Sequence, residues 1–180
     1  MVAGQILIIE APLFPMQYMR ITQGINGPVF HEGTKYIDLG GKDTGRDPVY
    51  APSEVKIIII TKAYNAIIFE STKPVYWADG SYDYYHMELV HDSDITGMAV
   101  GQVYKQGEKI YDEGGKGPLG TRQYASHLHL GVGRGKYAGK IKNLQGRYEL
   151  KNEVEPYKLF WINGTTVLKD MGYPWKTLNQ

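Results

Sequence analysis

Ser126-His127-Leu128-His129-Leu130 sets two histidines one residue apart inside a short apolar run. On a β-strand, side chains alternate between faces, so residues two apart point the same way. His127 and His129 would therefore project from one face of one strand. That is a costly place for two imidazoles unless something there uses them, and a metal ion beside a proton-transfer site would. The other histidines, His31, His86 and His91, lie well upstream. The fold would have to gather them.

Around this stretch, strand signals dominate. Residues 54–61 read as a buried strand, with Ile57 to Ile60 its apolar centre. Ala66 to Glu70 and Val75 to Ala78 are separated by a Lys73-Pro74 break. Tyr82 to Val90 alternates imperfectly, Gly107 to Glu113 is short, and His127 to Val132 follows the glycine-dense Lys116 to Gly120. Short strands with Gly and Pro turns predict an all-β fold, an antiparallel sandwich or partly closed barrel with long loops. No segment holds a helical period over ten residues or so. Leu159 to Ile162 reads as a last strand or a turn of helix, and Tyr173-Pro174-Trp175 as an exposed or capping end.

A chain of 180 residues suits a single domain over 1–180, with a motif-bearing core at about 20–135 and a less regular extension over 136–180. The 20 basic and 19 acidic residues nearly balance, which argues against nucleic acid or a membrane surface as partner. With 22 glycines and 15 tyrosines, the composition is that of a turn-rich β protein. The absence of cysteine excludes disulfides and thiolate metal sites. A metal site must then use His and carboxylate, which suits catalytic zinc. Met1 to Glu10 lacks the basic and long apolar regions of an export signal, and Ile57 to Ile60 is too short to span a bilayer. The expectation is synthesis in the cytoplasm without a signal peptide.

His31 and Asp38 flank a segment in which Gly33 permits a turn and Tyr36 to Leu39 looks like strand. A hairpin-like reversal could bring them together. One member of the His127/His129 pair would complete a three-ligand set, leaving a fourth tetrahedral position for water. Zinc lowers the pKa of such a water to about 7. The remaining histidine would sit beside the metal, relaying a proton or donating to an oxyanion. Glu32 and Asp43 are nearby alternative carboxylates. The Asp92/Asp94 pair reads as a solvated turn rather than a calcium site. Tyr82, Tyr84 and Tyr85 read as packing residues, with a substrate groove as their other use. Asn163-Gly164-Thr165 matches the glycosylation acceptor pattern, which is empty without export.

Five blocks in order resemble the M23 family of zinc metallopeptidases, the lysostaphin/LytM type. They are Gly27 to Leu39, Asp47 to Pro52, Val100 to Glu108, Lys116 to Gly120, and Ser126 to Leu130. The six residues between His31 and Asp38 exceed the commonest family spacing and resemble a bacteriophage-type subgroup. The resemblance implies His31, Asp38 and His129 as zinc ligands and His127 as a non-ligand catalytic histidine. It implies a second such histidine before the Val100-Gly101 hairpin. His91 fits by distance along the chain and His86 by local context. On one continuous strand the two would face opposite ways, so only one could reach the metal. The implied activity is hydrolysis of amide bonds in peptidoglycan cross-bridges or stem peptides. A phage-type lytic enzyme, holin-released or carried on a virion, fits the absent signal. The other classes are a catalytically inactive M23-like wall-binding or regulatory domain and a structural phage-tail or carbohydrate-binding module. Trp77 and Tyr82 to Tyr85 could serve the last of these.

Overall fold

The computed structural model describes residues 10–18, 20–42, 45–162 and 166–167. Asp43, Asn163-Gly164-Thr165 and Tyr173-Pro174-Trp175 lie outside them. The strands are β1 (Arg20–Gln23), β2 (Ile37–Gly40), β3 (Pro48–Tyr50), β4 (Val55–Thr61), β5 (Ala66–Ser71), β6 (Val75–Tyr76), β7 (Tyr82–Asp83) and β8 (Tyr85–Val90). They continue as β9 (Val103–Tyr104), β10 (Lys109–Asp112), β11 (Leu128–Arg134), β12 (Lys140–Lys142), β13 (Tyr148–Leu150), β14 (Glu153–Val154), β15 (Trp161–Ile162) and β16 (Thr166–Val167). Among the described residues the one helical turn is a 3-10 turn at Pro156–Lys158. Among those residues no helix is long and apolar enough to cross a membrane. The all-β fold read from the sequence is the fold found.

One large antiparallel sheet runs β1-β2-β11-β8-β5-β4-β9. Within it, β11 pairs with β8 along one edge. The other edge is shared: β2 takes Leu128 to Leu130 and β14 takes Val132 and Gly133. Residues in register on neighbouring strands share a face. Ile37 and Leu39, Leu128, Leu130 and Val132, and Met87 and Leu89 therefore form one apolar face, each fully buried. The β3–β10 ribbon covers it with Val49, Ile110 and Tyr111, and the chain ends add Met16, Leu159 and Phe160. Burying such side chains contributes about 1.5–3 kcal/mol each, so this face carries the stability.

The opposite face carries Asp38, His129, Val90, Glu88 and His86, as the same registers require. Two glycines of β11 leave it room. A Cβ on Gly131 would overlap the Tyr36 ring, and one on Gly133 would overlap the His86 imidazole. The alternation of β11 therefore reads bulky on the core side and His-Gly-Gly on the other. On β4 the register shifts between Ile57 and Ile59, so the isoleucine run does not alternate simply. Ile58 and Ile59 join a small second cluster built on Tyr36, Ile68 and Leu150.

The extension is more regular than its sequence suggests. It forms the β12–β13 hairpin and returns β14 to the edge of β11. Lys140–Lys142 is exposed at every position, so no apolar alternation marks it. Within Leu159 to Ile162, Trp161–Ile162 form strand β15, while the helical turn lies just before, at Pro156–Lys158. Trp77 is fully buried, with the Arg134 guanidinium 3.8 Å from its ring centre, so it offers no binding surface.

Candidate metal centre and active-site cleft

Strand pairing sets Asp38 on β2 directly opposite His129 on β11. His31 arrives from the preceding loop, where the Thr34 amide donates to the His31 carbonyl at 2.9 Å. The expected reversal is formed. His31 Nε2, Asp38 Oδ1 and His129 Nδ1 make a triangle with edges of 3.0, 3.1 and 2.9 Å. Zinc held tetrahedrally at about 2.0–2.2 Å spaces its ligand atoms roughly 3.3 Å apart. Three convergent donor atoms of the right kind therefore fit one face of such a site after a small outward shift.

Each of these side chains is backed. His31 Nδ1 lies 3.3 Å from the Gly24 carbonyl, which can only accept. Nδ1 thus carries the hydrogen, and Nε2 keeps its lone pair for the centre. Gln23 Nε2 donates to Asp38 Oδ2 at 3.1 Å, and Gln23 is itself fixed by the Val29 amide at 3.0 Å and carbonyl at 2.8 Å. The Tyr36 ring stacks on His129 with centroids 4.7 Å apart. Burial pushes the Asp38 carboxyl up, but the His129 and His31 rings set against it outweigh this and hold it below the usual carboxylate range.

His127 and His91 stand beside the triangle. His127 Nε2 is 3.8 Å from Asp38 Oδ1. The His91 ring is 4.6 Å from that of His127 and 5.7 Å from that of His129. Each gives Nδ1 to a carbonyl at 2.7 Å, His127 to Ala125 and His91 to Lys116. Each neutral ring then keeps an acceptor at Nε2. Burial pushes His91 down to about 4. This ring is therefore neutral at pH 7, rather than titrating there as its ordinary pKa would suggest.

Strand parity does not choose between His86 and His91. β8 ends at Val90, so the two are not on one strand. His86 pairs with Gly133 and lies on the same face as His129. It stands four residues along, about 13 Å, packed on Tyr137 with Nδ1 2.9 Å from the Gly135 carbonyl. His91 reaches the site because its φ is +90°, a left-handed conformation rare for a residue with a side chain. A buried network holds the adjoining turn. The Asp92 amide donates to the Tyr111 hydroxyl at 3.0 Å, and Asn65 Nδ2 donates to the Asp92 carbonyl at 2.8 Å. The Asp92 carboxylate is buried too, accepting from Arg46 and from the Asp94 and Asp112 amides. The solvated-turn reading thus holds for Asp94 alone, which is exposed.

The loop joining His31 to Asp38 is clamped by the extension. Glu153 Oε2 accepts from the Lys35 amide at 2.8 Å. Asn143 Nδ2 donates to the Glu32 carbonyl at 3.0 Å, and Arg147 Nε donates to the Glu32 carboxylate at 2.9 Å. Glu32 is thus engaged away from the triangle. A cleft of about 470 Å³ opens over the site, lined by His31, His91, His127 and His129, with Phe30, Tyr64, Tyr124 and Tyr148 among its walls. Tyr82, Tyr84 and Tyr85 are not among its lining residues. Sequence reading missed Gln23, Tyr36, Glu88 and Lys140. Only Tyr36 carried a signal, its place between two candidate ligands.

The sheet thus presents a His31/Asp38/His129 triangle in a cleft, a donor set able to hold a metal ion. The chain shares its fold with a zinc-containing peptidase from Vibrio cholerae, at a TM-score of 0.52 and 23% identity over 81% of this chain and 40% of that one. The catalytic domain of the antimicrobial peptidase lysostaphin from Staphylococcus simulans aligns at a TM-score of 0.44 and 19% identity, over 69% of this chain and 84% of that one. In sequence, the chain is 35% identical over 170 residues to morphogenesis protein 1 of Bacillus phage B103. That match covers 94% of this chain and 45% of the relative, so the chain spans about half the relative's length. No protein-family model matches it.

Proposed function

We propose that the chain is an M23-type zinc endopeptidase of phage origin that hydrolyses amide bonds in peptidoglycan cross-bridges or stem peptides. The observation that carries this is the convergence of His31 Nε2, Asp38 Oδ1 and His129 Nδ1 within 3.1 Å of one another beside two further histidines. His31, Asp38 and His129 would hold the metal. Zinc bound there supplies Lewis-acid polarisation and a water acidic enough to react at neutral pH. The chain's own groups do the rest. His127 and His91 accept a proton at Nε2 and return it to the leaving amine. Once protonated, the same nitrogens donate to developing negative charge on the scissile carbonyl oxygen. The aromatic walls of the cleft bind and partly dehydrate the peptide.

Likeness to a phage morphogenesis protein supports carriage on a virion over free release at lysis. The test is direct. Purified chain should carry one zinc, and should release new amino termini from purified cell walls until a chelator is added. A chain that binds walls without zinc and without cleavage would instead be the inactive wall-binding module.

A further inference from the structure

Tyr36 touches His129 face to face, with ring centroids 4.7 Å apart and planes 22° from parallel. Its hydroxyl donates to Glu88 Oε2 at 2.6 Å. Glu88 Oε1 in turn accepts from Lys140 Nζ at 2.5 Å. The three residues come from the loop before β2, from β8 and from β12, so the contact ties the cleft-side hairpin to the metal centre. Glu88 is 4% exposed. A buried carboxylate is costly, and apolar replacements of such pairs are often more stable. Packing alone therefore does not account for it. Glu88 lies opposite Gly131, whose missing Cβ makes the space that the Tyr36 ring fills.

We propose that Tyr36, Glu88 and Lys140 form a brace that fixes the plane of the His129 imidazole and so sets the metal affinity of the site. The inference rests on the zinc reading above. Tyr36 is a positioning residue: it acts through His129. Lys140 holds the Glu88 carboxylate, Glu88 holds the Tyr36 hydroxyl, and the hydroxyl fixes the ring against which His129 lies. Groups that orient a metal-bound imidazole typically change affinity by about 10- to 100-fold when removed.

The experiment is a zinc-affinity measurement by competition with a chromogenic chelator on the purified chain, with melting curves of each metal-free variant. Tyr36→Phe keeps the stacked ring and loses only the hydroxyl, so it should weaken zinc about 10-fold or more with little change in metal-free melting. Glu88→Gln should do the same, and Lys140→Met should act in the same direction to a smaller extent. The Tyr36→Phe/Glu88→Gln double variant should be no worse than the stronger single one, because both cut one chain of contacts. Variants that melt earlier yet bind zinc within about threefold of the parent would overturn the brace, as would fully additive losses. A parent that binds no zinc overturns the metallopeptidase reading and the brace with it. A parent that binds tightly beside variants that match it overturns the brace alone.

Discussion

The two faces of β11 are built by opposite rules. On the core side, Leu128, Leu130 and Val132 fill space, and each is fully buried. On the cleft side, His129 is followed by Gly131 and Gly133, which leave space for Tyr36 and His86. One face is specified by volume present and the other by volume withheld. Stability and chemistry can therefore be separated along a single strand, one residue at a time.

The largest separation should appear between neighbours. His129→Ala is expected to abolish zinc binding and lower wall lysis by at least about 10³-fold, the scale of a lost catalytic function. The protein should stay folded by circular dichroism. Leu130→Ala, one residue away, should cost about 2–5 kcal/mol in denaturant unfolding, while its folded fraction still binds one zinc. A Leu130→Ala chain that kept its stability but lost zinc would break the distinction between the faces.

A finer contrast lies within the cleft face. His91→Ala should keep zinc and lose about 10²-fold in wall lysis, as removal of a proton-transfer group does. His86→Ala should cost about 1–3 kcal/mol of stability and leave lysis within threefold or so. The reverse pattern would assign the second non-ligand histidine to His86.

The smallest effect concerns Glu153, on the segment that clamps the ligand loop. Burial pushes its carboxyl up to about 7. The folded state thus holds this proton more tightly than the unfolded chain. The group's contribution to stability is greatest below about pH 4.5 and declines as pH rises to 7. Glu153→Gln keeps an acceptor for the Lys35 amide and cannot ionise. It should melt like the parent at pH 4.5 and slightly higher than the parent at pH 8. Equal melting at both values would remove the raised pKa from the account.

Period-two alternation made the all-β class and most sheet strands legible, because one face of each is apolar. The histidine pair was legible for the same reason, and the His31–Asp38 reversal through Gly33. What escaped had no periodic trace. The β12 strand is exposed throughout. His91 enters the site by a left-handed backbone turn that no strand rule anticipates. Gln23 and Glu88 meet the site only through pairings between distant segments, Gln23 with Asp38 and Glu88 with Gly131.

The shared edge of β11 bears on how far this chain could be shortened. A fragment ending near residue 135 would retain all five resemblance blocks and every candidate ligand. It would also strip β14 from Val132 and Gly133, baring strand edge of the kind that invites self-association. The contacts of Asn143, Arg147 and Glu153 on the His31–Asp38 loop would go with it. For an engineer excising this unit, its smallest portable extent is therefore set by hydrogen bonds rather than by motifs.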